Sequence, residues 1–342
     1  MRLVTRCDLD GLACAVLIGL HEEIDEILLT HPQEIADGKV DIGPDDILAN
    51  LPFQPGCALW FDHHMHTAAA APEAPYKGLF GRAPSAARLV FEYYGGLTTM
   101  AEFEELVHET DRFDSADLDL DDILDPQGYI LLGFTLDARS GLGRTAEYFM
   151  TVRELLTERA AIDQVLEHPE VEERCRRLAA EDTELHSALV AHSHVEGNVL
   201  ITDFRSLDRL PVGNRFLVFA LFPQINVAMR IQQDHGRPDV MVTLGHSIVN
   251  RSCKVNLGEL AARYGGGGHR GAASIQLAGE ADAQLRSLVA ELRDREPFDF
   301  ASLGALPPAK PARCDQELET AAALRRLTAT EMLRPGERNR PS

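Results

Sequence analysis

Two short apolar runs in this chain end in the same kind of polar turn. Leu3-Val4 leads through Thr5-Arg6 into Cys7-Asp8-Leu9-Asp10-Gly11, and residues 57–61 lead directly into Asp62-His63-His64. Short apolar runs closed by turn residues read as buried β-strands. Beyond Gly11, the residues Leu12, Ala13, Val16, Leu17 and Leu20 recur at helical spacing, and a further strand is expected at 27–29. Strand, turn, helix and strand in that order predict an α/β domain with a mainly parallel sheet. Ligands of such sheets lie beyond the carboxyl ends of the strands, which is where both polar turns would fall.

The rhythm changes along the chain. Pro84-Ser85 opens a helix, since proline suits the first helical turn. Residues 146–191 carry a helical pattern dense in Glu and Arg. Strand-like stretches resume at 198–204, 214–222, 225–232 and 240–245, predicting a smaller second α/β domain. The expected organisation is a first domain over 1–165, a helical linker over 166–193, a second domain over 194–295 and a Pro-, Ala- and Arg-rich tail over 296–342.

Composition excludes several function classes. No apolar run approaches the length of a bilayer span, so no membrane partner and a cytoplasmic location are expected. Six cysteines without a CxxC pair argue against a zinc ribbon or a disulfide scaffold. A formal charge of −21 argues against avid binding to long nucleic acid. Small anions remain, because a bound cation or an arginine cluster reverses the field locally.

The acidic turns carry the chemistry. Asp8 and Asp10 repel each other unless a cation neutralises them, although a helix cap would also explain them. Asp62-His63-His64 would lie on the same sheet edge, and mixed His and Asp ligands suit Mn²⁺, Fe²⁺, Co²⁺ or Zn²⁺ better than Ca²⁺. His66, further along, reads as a supporting or surface residue. Asp46 and the pair Asp111 and Asp114 could add ligands, or be exposed turns and caps. Near the other end, Gly265-Gly266-Gly267-Gly268-His269-Arg270 precedes small residues that read as a helix. Consecutive glycines offer several N–H groups to an anion. His269 and Arg270 would add charge, and Arg251 and Arg230 are candidates for the same anion or routine surface charges.

As a set, these motifs resemble the DHH phosphoesterase superfamily with its associated C-terminal domain. The carriers are Asp8-Leu9-Asp10-Gly11, Asp62-His63-His64, the acidic motif at Asp111 and Gly265–Gly268 with His269, spread over roughly residues 1–290. That family includes RecJ-type exonucleases, nanoRNases, cyclic-dinucleotide phosphodiesterases, polyphosphatases and family II pyrophosphatases. The resemblance implies Mn²⁺ as cofactor, one ion or two, with Mg²⁺ or Co²⁺ as alternatives. Carried over by position, Asp8 binds the first ion, Asp10 the second, and Asp46 bridges them. His63 and Asp111 complete the second, with Asp114 competing for the place of Asp111. His64 lies nearer the substrate phosphate, and Asp62 orients the imidazoles. Asp8, Asp10, His63 and His64 are the implied catalytic group. Gly266, Gly267, Gly268, His269, Arg270 and Arg251 hold phosphate and the terminal nucleotide.

This chain departs from the family just upstream of Asp8, where relatives supply a further His or Asp. Val4 and Arg6 stand there, and neither can ligate a metal. The first ion site is then weak, filled only with substrate or absent, and Arg6 becomes a candidate phosphate contact. The leading expectation is a phosphoesterase acting on small nucleotides or short oligonucleotides. A polyphosphate or pyrophosphate hydrolase and a nucleotide-binding module with a degenerate metal site are the alternatives. A homodimer is among the expected assemblies.

Overall fold

The chain opens with β1 (Arg2–Thr5), α1 (Leu9–Gly19), β2 (Glu26–Leu29), α2 (Pro32–Ala36), β3 (Asp46–Ala49), β4 (Leu59–Asp62) and β5 (Gly78–Phe80). This is a computed structural model that describes residues 1–64, 76–143, 146–233, 239–279 and 281–293. His66 and the tail expected over 296–342 lie outside the described residues. The five strands form one parallel sheet in the order β2-β1-β3-β4-β5. β3 and β4 are buried along their whole length. A strand covered on both faces reads as a continuous apolar run, which is why these segments show no alternation. Val4, Leu48 and Trp60 lie side by side across β1, β3 and β4 and pack with Ile35 of α2 and Leu51.

Helices follow: α3 (Ala86–Tyr93), α4 (Leu97–Met100), α5 (Glu104–Asp114), α6 (Leu120–Leu124), α7 (Gly128–Leu136), α8 (Ala146–Thr157), α9 (Ile162–Leu166) and α10 (Pro169–His192). Every residue of α1 from Leu9 to Ile18 is buried, and α3, α5 and α8 pack around it. A helix apolar on all sides has to sit inside a domain, and here it leads the polar turn of β1 into the core.

The remaining elements are β6 (Ser193–Glu196), β7 (Val199–Asp203), α11 (Leu217–Leu221), β8 (Val227–Gln233), β9 (Val240–His246), α12 (Leu257–Arg263), β10 (Gly267–Gly268), β11 (Ala272–Leu277) and α13 (Asp282–Leu292). Their sheet runs β10-β11-β9-β8-β7-β6, and only the β7–β8 pair is parallel. Burial alternates along β8, β9 and β11, so one face is covered. Val227, Met229, Val242, Leu244 and Ile275 meet Leu257 and Leu260 of α12 and Leu285 and Leu288 of α13 in that core.

Two elements differ from expectation. Residues 214–222, expected as a strand, hold α11, because Leu217 and Leu221, one turn apart, pack with Leu185, Leu189 and Phe204. The small residues after the glycine run form β11 and not a helix, since Ala273, Ile275 and Leu277 are buried at period two.

The chain divides into two compact units, each with its own sheet. The first takes in residues 1–118, 127–184 and 212–215, and the second 119–126, 185–211 and the described residues from 216 on. α10 runs through the segment expected as a linker. Among the described residues, no helix is long and apolar enough to cross a membrane.

Candidate metal centre

The sheet order reverses between β1 and β3, and the turns beyond the carboxyl ends of β1, β3, β4 and β5 meet there. Asp8 caps α1 by accepting from the Gly11 amide at 2.9 Å. Gly11 is obligatory because a Cβ there would lie 2.1 Å from the Arg6 carbonyl oxygen. Asp10, in the first turn of α1, is buried and is gripped by the start of α3. Its Oδ2 accepts from the Ala86 amide at 3.0 Å and its Oδ1 from Ala87 at 2.7 Å. Ser85 caps that helix, so the amide pair is fixed in place. Burial, and then the Asp114 charge, push the Asp10 carboxyl up to about 7.

His63 follows β4. Its Nδ1 lies 3.1 Å from the Ala83 carbonyl, and a carbonyl only accepts, so Nδ1 carries the hydrogen. In the neutral ring the lone pair then sits on Nε2, which is 3.2 Å from Asp114 Oδ2 and 3.8 Å from Asp10 Oδ2. That nitrogen is buried and makes no hydrogen bond of acceptable geometry. Burial opposes protonation of the ring, but Asp114 and Asp10 outweigh it and push His63 up to about 9. Asp10, His63 and Asp114 each offer one ligand atom, all within 4.8 Å of one another. A buried imidazole nitrogen facing two carboxylates, once it gives up its proton, is a donor set that fits a divalent metal ion.

His64 is held differently. Its Nδ1 lies 2.7 Å from Asp62 Oδ1, which also accepts from the His63 and His64 amides. Asp62 therefore orients the ring of His64, whereas the Ala83 carbonyl orients that of His63.

Several expected ligands lie elsewhere. Asp46 begins β3 and so stands at the opposite end of the sheet. There it accepts from Arg2 Nε at 2.8 Å, Arg2 Nη2 at 2.7 Å and the Gly43 amide at 2.7 Å. Burial works against its charge, yet Arg2 holds the carboxyl below the usual range. Asp111 receives Arg88 Nε at 2.8 Å, Arg88 Nη2 at 2.5 Å and Ser85 Oγ at 2.6 Å. It braces the start of α3, and Asp114, one turn later on α5, joins His63.

Sequence reasoning missed Asn50, the residue beyond the carboxyl end of β3. It adopts φ 58°, donates Nδ2 to Asp8 Oδ1 at 3.1 Å, and leaves its buried Oδ1 without a hydrogen bond. The signal was available: the rule that singled out Asp8 and His63, a polar residue just after an apolar run, also selects Asn50 after Ile47-Leu48-Ala49. Arg6 lies with Nε 2.9 Å from Asp8 Oδ2. Burial works against its charge, but Asp8, Asp114, Asp10 and Asp137 together raise its pKa.

In the second unit the glycine run is a hairpin. Gly267 and Gly268 pair with Ser274 and Ala273, and a Cβ at Gly268 would lie 2.4 Å from the Ala272 carbonyl oxygen. The amides of Gly265, Gly266 and His269 go to the carbonyls of Ala262, Ala261 and Ala272. These three amides are thus engaged within the hairpin and its approach. His269 and Arg270 are exposed on the hairpin, and Arg251 is exposed with Nε donating to the Ile248 carbonyl at 2.9 Å.

No protein-family model and no curated protein matches the chain. Among solved structures, the pGpG-specific phosphodiesterase PggH from Vibrio cholerae is similar, with TM-score 0.76 and 37% identity over 85% of this chain and 98% of that one. The exonuclease RecJ bound to manganese is more distant, with TM-score 0.49 and 13% identity over 86% of this chain and 90% of that one. An exopolyphosphatase-related protein from Bacteroides fragilis follows, with TM-score 0.46 and 14% identity over 85% and 90%. Neither of these two carries weight for the chemistry. On the first likeness, which spans nearly the whole of the related chain, and on a site assembled from its own Asp-x-Asp-Gly and Asp-His-His turns, this protein belongs to the DHH phosphoesterase superfamily.

Proposed function

We propose that this protein is a metal-dependent phosphodiesterase that hydrolyses a linear dinucleotide of the pGpG kind to mononucleotides. Asp10, His63 and Asp114 hold Mn²⁺ in this reading, with Mg²⁺ or Co²⁺ as alternative ions. The observation that carries it is the buried Nε2 of His63, set between the carboxylates of Asp10 and Asp114. The choice of substrate is supported by the specificity in the name of the relative at 37% identity.

A divalent ion bound there supplies a Lewis acid for the phosphoryl oxygen and lowers the pKa of its bound water. The protein's own groups do the positioning. The two α3 amides hold Asp10 in one orientation, and the Ala83 carbonyl selects the tautomer that presents the His63 lone pair. His64 keeps Nδ1 on Asp62 and is part-exposed, and in this reading its ring is the one that meets a phosphate oxygen. In the second unit His269 and Arg270, with Arg251, are the phosphate-holding side chains of this reading, and Gly266, Gly267 and Gly268 shape the hairpin that carries His269 and Arg270.

The test is incubation of the purified full chain with Mn²⁺ and pGpG, followed by chromatography of the products. Release of GMP that stops on chelation is the expected result. Short RNA, pAp, a cyclic dinucleotide and polyphosphate run in parallel. Phosphate release from polyphosphate with pGpG left intact would overturn the dinucleotide reading.

A further inference from the structure

We infer that the Arg6 guanidinium takes the place of a second metal ion, so that the centre is built for one divalent cation. The inference rests on the metal-dependent reading above and adds the number of ions and the residue that sets it. Asp8, the implied ligand of a first ion, has both oxygens engaged. Oδ1 accepts from the Gly11 amide at 2.9 Å and from Asn50 Nδ2 at 3.1 Å, and Oδ2 meets Arg6 Nε at 2.9 Å. The group able to share an ion is Asp10, His63 and Asp114, and Asp8 is outside it.

The place just beyond the carboxyl end of β3 is held by Asn50. An amide brings no charge, and its NH₂ is already turned to Asp8. Asp46, the carboxylate of that strand, is at the far end and committed to Arg2.

Charge counting leads to the same number. Asp8, Asp10 and Asp114 contribute three negative charges, Arg6 one positive charge and a single divalent ion two, which sums to zero. A second divalent ion would leave two positive charges uncompensated where the surroundings are largely buried, a costly arrangement. Two further acids nearby are already engaged: buried Asp62 by the His64 ring and the His63 and His64 amides, and Asp137 by Arg139 and Arg215. Arginine keeps its proton under all working conditions, so Arg6 is a permanent cation that needs no loading. It gives a phosphoryl group the positive charge that other enzymes draw from a second ion.

The experiment loads the full chain with Mn²⁺, removes the excess, and measures manganese per chain by elemental analysis and its electron paramagnetic resonance spectrum. One ion per chain with the six-line signal of an isolated Mn²⁺ is expected. An Arg6→His, Asn50→Asp double variant is expected to take two ions with a spin-coupled spectrum, and Arg6→Lys, which keeps the charge, to stay at one. Two coupled ions in the unaltered chain overturn the inference, as does a folded double variant that still binds one. A chain that binds no Mn²⁺ at all defeats the metal-dependent reading as well, and the three results are distinguishable.

Discussion

At Gly11 and His63 a single atom decides what the site can do. Gly11 allows the turn after β1 to fold back so tightly that the Arg6 carbonyl occupies the space of a Cβ. Gly11→Ala therefore forces the backbone apart between Arg6 and α1. Unfolding in urea is expected to show a loss of about 2–3 kcal/mol, together with weaker Mn²⁺ binding in calorimetry. His63→Ala removes the lone pair between Asp10 and Asp114 and leaves the strand beneath it intact. Losing a partner of a metal ligand typically costs about 10–100-fold. Losing the ligand itself is expected to lower Mn²⁺ affinity and turnover by more than that, while circular dichroism of the metal-free protein stays unchanged. Full activity in His63→Ala would remove this residue from the centre. Both residues were legible as motif members. The different roles of His63 and His64 were not, because they depend on which acceptor each Nδ1 meets, the Ala83 carbonyl or Asp62.

Among the elements, α5 shows where periodicity stops being informative. Asp111 and Asp114 are three residues apart and so share one side of the helix. Helical spacing alone does not choose between them. Arg88 and Ser85, brought in by α3, capture Asp111 and leave Asp114 to His63. α10 offers a test that does not involve the centre. Its Asp182 is pushed up to about 6, chiefly by burial, although the Asn214 amide donates to it at 2.5 Å and works the other way. An acid whose folded pKa is raised stabilises the fold below its unfolded value near 3.8, and that contribution is lost as pH rises through about 6. Asp182→Asn keeps the acceptor without the charge. Above pH 7 the variant is expected to be more stable than the unaltered chain by about 3 kcal/mol, and the gap should close near pH 4. Thermal melts across that range check it, and a gap independent of pH would contradict the assignment.

For the whole molecule, the contrast between the two ends of the parallel sheet carries the most weight. Arg2 and Asp46 lock β1 to β3 at the amino ends, and Asp8, Asn50 and His63 gather at the carboxyl ends. Asp46→Asn is therefore expected to cost about 2 kcal/mol of stability, the scale of a hydrogen-bonded charge pair, and to leave manganese content unaltered. A loss of manganese in that variant would return Asp46 to the centre. The parallel first sheet, the acidic strand ends and the family were legible in the sequence, because they follow from apolar runs, turn residues and motif spacing. The helical identity of α11 and the strand β11 were not, since burial against distant residues settled them. Local chemistry along the chain determined that Asp8, Asp10, His63 and His64 stand at strand ends. Only the tertiary structure decided that Asn50 and Asp114 join them while Asp46 and Asp111 do not. The reason is physical: a carboxylate binds the nearest cation or donor in space, and for Asp46 and Asp111 those are Arg2 and Arg88.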